Sequence, residues 1–488
     1  MVSLTFFGGV GEIGGNKILL EDKGAKVFLD FGMGFKDMGY YFSEFLQPRG
    51  GNGLNDYLEL GLIPWIKGFY NEDIIRHSNL NDSKKDEIDG ILVSHAHADH
   101  IAMFKLVRPS IPIYCSEDSY KIMDVFDNAT NSNSSDYLTV GPKFQFYKNN
   151  KGELSRADRK KEDLVRNRNI IKIEYEKAFK IKHLEIMAFR VDHSLPGATA
   201  YIIETSIGNI GYTGDLRFHG RHIEESKHFV EMCKLANLKV LITEGTRTES
   251  DKIISEQEVE KEIYSKIKAA KGLVIATYPA RDLDRIETFY NAATKAGRKL
   301  IVDFKQYYLL SLFSKKYPDI FNNVLIYLQP KSWHLVNKEG FDEKEIEKDY
   351  AKWEREFLTK KNTITSKELS KKQEKYVYYL SPFSMQNLID IKPDKGSIRI
   401  RSTCEPFDDE MELDEERVIR WFEHFGITEK DTYQIHCSGH ASYTDLKWML
   451  SEIKPEIIIP IHTLEPHKFK ELGKKVIIPE KNQKIEIK

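Results

Sequence analysis

Residues 95–100 read His-Ala-His-Ala-Asp-His and close the apolar run Ile91-Leu92-Val93. Three imidazoles and a carboxylate within six residues offer nitrogen and oxygen ligands to a metal ion from one short loop. Packing does not account for that density of ligands, so the hexapeptide predicts metal-dependent hydrolysis. The same device recurs along the chain. Residues 186–191 run into Asp192-His193, residues 209–213 into Gly214-Asp215, residues 240–243 into Glu244, and residues 457–461 into His462. Each run has the β-branched enrichment of a buried strand. One polar residue after a strand is ordinary turn chemistry, but five such strand ends predict one sheet edge that gathers them all.

The elements that must position these residues belong to a chain of 488 residues, more than one hydrophobic core organises, so two or more globular units are expected. Hydrophobic residues at 41% and charged residues at 30% exclude a disordered or fibrous class. With a net charge of −2, a nucleic acid would have to be held by a local basic lining or by metals, not by overall charge. Cys115, Cys233, Cys404 and Cys437 form no CxxC pair, which argues against a disulfide framework and a thiolate zinc site and predicts a reducing compartment. No basic n-region, apolar h-region or run of roughly 18 apolar residues is present, so a cytoplasmic protein without a membrane partner is expected.

Residues 127–135 form a polar stretch, and residues 150–169 carry a charge-dense run with Arg156, Arg159, Lys160, Lys161, Arg166 and Arg168; both read as surface insertions. Helical patterns over 256–267 and 283–296, with strands at 272–276 and 299–303, predict a β-α-β unit with a parallel pair in a separate α/β domain. The Lys- and Glu-rich stretch 340–375 predicts a solvated helix face. His219 and His222 read as surface or loop residues. Gly9-Val10-Gly11-Glu12-Ile13-Gly14, with Asp30 downstream, matches a dinucleotide-binding fingerprint, which needs a helix after the glycines. Here Lys17-Ile18-Leu19-Leu20-Glu21 and Lys26-Val27-Phe28-Leu29-Asp30 follow instead, predicting a hairpin and excluding the nucleotide site.

His95-x-His97-x-Asp99-His100, with His193, Asp215 and His462, resembles the ligand set of the metallo-β-lactamase superfamily. Thr243-Glu244-Gly245-Thr246, His436-Cys437-Ser438-Gly439-His440-Ala441 and Pro460-Ile461-His462 resemble motifs A, B and C of the β-CASP nucleases. The opening Gly8-Gly9-Val10-Gly11-Glu12-Ile13-Gly14 and the His-x-Ser-Gly-His-Ala block are most similar to the ribonuclease J family. The resemblance spans residues 1–35, 88–120, 185–305 and 395–470, and leaves out an aromatic insertion at 36–85 and the polar one at 127–170. It implies an α/β fold, an αββα metallo-β-lactamase sandwich with an inserted α/β β-CASP domain. Residues 1–255 and 433–488 would form the sandwich and 256–432 the insert. With the chain ending soon after His462, the C-terminal domain typical of ribonuclease J is expected to be missing.

The resemblance further implies that His95, His97 and His193 hold one divalent ion and Asp99, His100 and His462 a second, with Asp215 bridging them. Zinc is the first expectation and manganese the second. Asp99, Glu244 and His440 are implied as catalytic residues: Asp99 to orient the attacking water, and His440, kept cationic by Glu244, to protonate the leaving oxygen. His436, Ser438 and His440 are implied as phosphate contacts, whereas Ser381, Ser384 and Arg401 are left outside the site. The implied activity is hydrolysis of single-stranded RNA, by 5′-to-3′ exonuclease action, endonuclease action or both, and a homodimer is compatible with it. Two other readings stay open: a metallo-hydrolase of a small ester, thioester or lactone, and a catalytically inactive RNA-binding scaffold.

Overall fold

The computed structural model describes residues 1–488 apart from 44, 77, 130–134, 143–145, 157–164, 250, 252, 337 and 406–408. Most of the polar stretch 127–135, and Arg159, Lys160 and Lys161 of the basic run, lie outside the described residues. In chain order the main strands are β1 (Val2–Gly8), β2 (Lys17–Asp22), β3 (Ala25–Phe31), β4 (Gly90–Leu92), β5 (Ile113–Cys115) and β6 (Ile170–Lys172). There follow β7 (Phe179–Ile181), β8 (Leu184–Arg190), β9 (Thr199–Thr205), β10 (Gly208–Tyr212) and β11 (Val240–Glu244). Next come β12 (Val274–Thr277), β13 (Lys299–Val302), β14 (Leu325–Tyr327), β15 (Thr363–Ile364), β16 (Tyr376–Tyr379), β17 (Ile398–Arg401) and β18 (Thr432–Gln434). The last two are β19 (Ile457–Ile461) and β20 (Gln483–Ile487).

Two sheets, ordered β6-β5-β4-β3-β2-β1-β20 and β7-β8-β9-β10-β11-β19, face each other. Alternation decides which residues fill the space between them: Leu4, Phe6, Ile18, Leu20, Val27 and Leu29 from the first meet Ile186, Tyr201, Ile203, Val240, Ile242 and Ile459 from the second. Apolar side chains of helices Ile223–Ala236 and Tyr443–Ile453 cover the outer face of the second sheet. Leu54, Leu62, Phe69, Tyr70 and Ile74 cover that of the first, against Leu19, Phe28, Phe31 and Ile91. The aromatic stretch 36–85 thus supplies an outer layer of the αββα sandwich. Arg168 also departs from the surface reading, being buried with its guanidinium donating to the carbonyls of Phe104, Val107 and Asp136.

Between β11 and β19 the chain builds a third sheet, ordered β15-β14-β13-β16-β12-β17-β18 and parallel throughout. Its central strands are buried on both faces, as a parallel sheet wrapped by helices requires. Helices Glu256–Ala269 and Leu283–Lys295 lie where periodicity puts them. The parallel pair does not form directly, because β16 inserts between β12 and β13. The stretch 340–375 is not one solvated helix face: it breaks into the short helices Glu343–Lys348, Arg355–Leu358 and Ser366–Leu369, and Tyr350, Phe357 and Leu369 are buried. Those buried side chains are what the charge count hid.

Candidate metal centre

The strand ends converge, but on the edges of two sheets, not one. β4 of the first sheet leads into His95; β8, β10, β11 and β19 of the second lead into His193, Asp215, Glu244 and His462. β10, β11 and β19 run parallel, with Tyr212 beside Ile242 and Ile242 beside Ile459, so Asp215, Glu244 and His462 leave by the same edge. The opening hairpin forms as predicted, Leu19 pairing with Phe28. Its glycines allow close approach: a Cβ on Gly32 would stand 1.6 Å from the Asp99 carbonyl oxygen, and one on Gly14 (φ +83°) 2.7 Å from Asp99 Oδ2. The glycine-rich loop is therefore packed onto the metal-type loop, which is what the misleading fingerprint serves here.

All seven candidate ligands come together. His95, His97, His193 and Asp215 form one group and Asp99, His100, Asp215 and His462 another, with the ligand-type atoms of each group within 4.8 Å of one another. His97 Nδ1 lies 2.8 Å from His95 Nε2 and 3.2 Å from His193 Nε2. Asp215 Oδ2 lies 3.2 Å from His100 Nε2 and 3.6 Å from both His95 Nε2 and His462 Nε2. Asp99 Oδ2 stands 3.2 Å from His462 Nε2.

The outer nitrogens decide which lone pairs face inward. His100 Nδ1 is 2.8 Å from Asp30 Oδ2, and His193 Nδ1 is 2.6 Å from the Gly439 carbonyl, so both nitrogens donate. Ser94 Oγ donates to Asp30 Oδ2 at 2.6 Å and so accepts from His95 Nδ1 at 3.1 Å. Thr246 Oγ1 donates to Glu244 Oε2 and accepts from His462 Nδ1, each at 2.8 Å. Four imidazoles thereby turn Nε2 inward, the arrangement by which outer partners prepare histidines for a metal; burial disfavours charge on His100, yet Asp215, Asp99 and Asp30 hold it well above the usual histidine range. His100 Nε2 and Asp215 Oδ1 are buried without a hydrogen-bond partner, and buried polar atoms left unpaired are costly, a cost that a bound cation would relieve at the Asp215 oxygen. The donor set, nitrogen and carboxylate oxygen without thiolate, fits divalent cations of the zinc or manganese kind.

Electrostatics divide the cluster. Burial, then repulsion from neighbouring imidazoles, holds His95 and His193 well below the usual histidine range, and burial outweighs Asp99 and Asp215 to bring His97 down to about 4. Asp215 is disfavoured by burial, yet His462 and His100 hold it well below the carboxylate range. His440 behaves oppositely: burial pushes it down, but Glu244, whose Oε2 is 2.9 Å from His440 Nδ1, and Asp215 push it up to about 9.

The other predicted contacts divide. Ser438 Oγ accepts from the His440 amide at 3.2 Å, whereas His436 turns Nδ1 to Arg285 Nη1 at 3.2 Å and is tied to a buried ionic cluster. That cluster joins Arg217 to Asp192 and Asp284, and Arg285 to Glu256. His219 is not a surface residue: it is buried, and its Nε2 lies 2.9 Å from the Ser438 carbonyl oxygen. Sequence reasoning missed Asp30, Thr246, His219 and Arg217. Only Asp30 carried a signal, a carboxylate closing an otherwise apolar strand.

Two family models match the chain: a beta-lactamase superfamily domain over residues 72–274 and a Zn-dependent metallo-hydrolase RNA specificity domain over residues 430–482. The chain belongs to the metallo-β-lactamase superfamily. Within that superfamily it is of the β-CASP, ribonuclease J-like kind. It is 25% identical over 307 residues to ribonuclease J 2 of Streptococcus pyogenes, covering 62% of this chain and 45% of that one. Ribonuclease J of Thermus thermophilus is 24% identical over 477 residues (94% and 68%), and ribonuclease J of Pyrococcus abyssi 21% identical over 496 residues (95% and 90%). The chain thus spans about half the length of the Streptococcus relative and about two thirds of the Thermus one. A crystal structure of a protein of unknown function from Enterococcus faecalis has a similar fold across 99% of both chains, with a TM-score of 0.73 and 22% identity. No helix among the described residues is long and apolar enough to cross a membrane.

Proposed function

We propose that the protein is a two-ion ribonuclease that hydrolyses phosphodiester bonds of single-stranded RNA. The observation that carries this reading is the pair of ligand groups sharing Asp215, with the Glu244–His440 pair beside them. In this reading His95, His97 and His193 hold one ion, Asp99, His100 and His462 the other, and Asp215 serves both. Bound divalent cations supply Lewis acidity, which acidifies water and neutralises charge growing on a phosphate. The chain's own residues do the rest. Asp99 orients the attacking water through its carboxylate. Glu244 accepts from His440 Nδ1 and keeps the imidazole charged at neutral pH, so His440 Nε2 has a proton for the leaving oxygen. Ser438 and the outward nitrogen of His436 are the phosphate contacts. The domain division that goes with this reading is a sandwich of residues 1–255 and 433–488 interrupted by a β-CASP domain at 256–432.

RNA is favoured over a small ester because the Streptococcus, Thermus and Pyrococcus relatives are named ribonucleases and because the C-terminal family model is described as an RNA specificity domain. The test uses purified protein with zinc or manganese and 5′-labelled single-stranded RNA. Degradation is expected, lost in a His97→Ala, Asp99→Ala double variant. Mononucleotide release from the 5′ end would assign exonuclease action and internal fragments endonuclease action. Intact RNA alongside turnover of a thioester or lactone would replace this reading.

A further inference from the structure

The C-terminal edge of the third sheet carries two side chains that the metal centre does not use. β12 and β16 are adjacent and parallel, so the loops after them leave by the same edge. Arg281 lies four residues past Thr277, and Phe383 four past Tyr379. β18, at one side of the same sheet, leads from that edge into the His436–His440 loop. With strands about 4.8 Å apart, β12 stands roughly 10 Å and β16 roughly 14 Å from β18, a separation of a few nucleotides. Crevices at the carboxyl ends of parallel strands are where α/β sheets receive ligands.

Arg281 is chemically unfinished. Its guanidinium sits 3.7 Å over the Phe126 ring, with Tyr137 and Tyr379 nearby, and it has no hydrogen bond or ion pair among the described residues. Other part-buried or buried arginines have an anionic or carbonyl partner: Arg108 has Asp82 and Asp86, Arg217 has Asp192 and Asp284, Arg285 has Glu256, Arg298 has backbone carbonyls and Arg399 has Glu415. Removal from water lowers the Arg281 pKa with no carboxylate to offset it. A ring face attracts the cation but accepts no conventional hydrogen bond from its five N–H groups. An anion would complete it, and a phosphate matches the guanidinium fork. On the loop after the neighbouring strand β16, Phe383 is 95% exposed, an open ring on a 3₁₀ turn that Ser381 caps. Exposed aromatics beside cationic groups are the pattern by which proteins hold single strands, base on ring and phosphate on cation.

We propose that Arg281 and Phe383 form a subsite for single-stranded RNA away from the reacting phosphate, Arg281 holding a backbone phosphate and Phe383 stacking a base. The inference rests on the ribonuclease reading and extends it to residues outside the matched motifs.

The test is fluorescence anisotropy of the metal-loaded full chain with a nuclease-resistant 2′-O-methyl phosphorothioate 12-mer of uridine bearing a 5′-hydroxyl, across a salt series. Arg281→Ala should weaken binding and reduce the slope of log affinity against log salt by about one. Arg281→Lys should recover that slope. Phe383→Ala should weaken binding roughly 5- to 150-fold at unchanged slope. Arg281→Met should leave the melting temperature unchanged or higher, since it removes a cation without a partner. Unchanged affinity and slope in Arg281→Ala, absence of binding by the wild type, or a melting temperature lowered by several degrees in Arg281→Met would each overturn the subsite. Because no cleavage is needed, intact RNA in the activity assay would remove the ribonuclease reading alone, while anisotropy still decides the subsite.

Discussion

Two buried polar clusters lie side by side in this molecule and resolve in opposite ways. In the Arg217–Arg285 cluster, two guanidiniums meet Asp192, Asp284 and Glu256 at 2.7–3.0 Å, and Cys437 Sγ donates to Glu256 at 2.9 Å. Donors face acceptors, and the cluster ties strand ends of the second sheet to helices Glu256–Ala269 and Leu283–Lys295. In the histidine cluster, ligand-type atoms crowd one space: inward nitrogens and the Asp99 and Asp215 carboxylates converge, with His100 Nε2 and Asp215 Oδ1 left without hydrogen-bond partners. A buried cluster that closes on itself is architecture; one that points lone pairs at a common centre is a ligand site. The two are joined, because Arg217 Nη1 and His219 both reach the Ser438 carbonyl and His193 reaches that of Gly439.

The largest expected effect breaks the histidine side alone. Asp215→Asn keeps the shape but removes the anion shared by both ligand groups, and RNA hydrolysis should fall by about 1,000-fold or more, with less than the full complement of metal retained by elemental analysis. The melting profile of the metal-free protein should hardly change. Full metal retention with full activity would show that Asp215 is not shared between ions.

The second effect breaks the arginine side. Glu256→Gln leaves Arg285 buried without its anion and should cost about 3–5 kcal/mol in denaturant unfolding, with metal content intact. Its pH dependence has a defined sign. Burial disfavours the Glu256 carboxylate, but Arg285 and Arg217 outweigh burial and hold its pKa below the usual value. The stabilisation is therefore fully present above pH ~4.5 and declines as pH falls. The wild type should lose its advantage over Glu256→Gln progressively below that pH. A constant difference between pH 4.5 and 3 would mean that the arginines do not depress Glu256.

How far each cluster could be read from the chain follows from the same contrast. The ligand residues were legible because metal chemistry demands histidine and aspartate at strand ends, and few other roles place His95, His97, Asp99 and His100 within six residues. The arginine cluster was not legible, since Arg217, Asp192, Glu256, Asp284 and Arg285 are common surface types and only the fold brings them together. His219 belongs with them: four residues past Asp215 it has the polarity of a loop residue, and only the fold sets the Ser438 carbonyl beside it. The family resemblance implied the sandwich, and the strand pattern a shared sheet edge, but neither showed that β16 separates β12 from β13, nor that Leu54, Phe69 and Tyr70 roof the first sheet. Long-range pairing is set by packing between distant segments, which local periodicity does not encode.

A smaller effect sharpens the boundary between preparing a ligand and being one. Asp30 takes bonds from the Ser94 amide and hydroxyl, His100 Nδ1 and Tyr212 Oη, and holds a positive φ of 56° to do so. Asp30→Asn should weaken metal affinity by about 10- to 100-fold in a chelator competition. Unlike Asp215→Asn, it should recover activity at high metal concentration, because the inward Nε2 is misoriented, not removed.

The smallest effect tests whether the arginine cluster can be loosened without disturbing the metal centre. Ser255 caps the helix that opens with Glu256: its hydroxyl accepts from the Glu258 amide, and the Glu258 carboxylate accepts from the Ser255 amide. Ser255→Ala should cost about 1 kcal/mol of stability. Fraying of that first turn would be felt first by Glu256, then by its bonds to Arg285 and Cys437, and only through the 436–440 loop by His193 and His440. If the arginine cluster is architecture, metal affinity and hydrolysis at saturating RNA should stay within about twofold of wild type while the unfolding midpoint drops. A fall in hydrolysis larger than the stability change explains would show that the ionic cluster sets the motif loop's position at each turnover, and the two regions would have to be counted as one site.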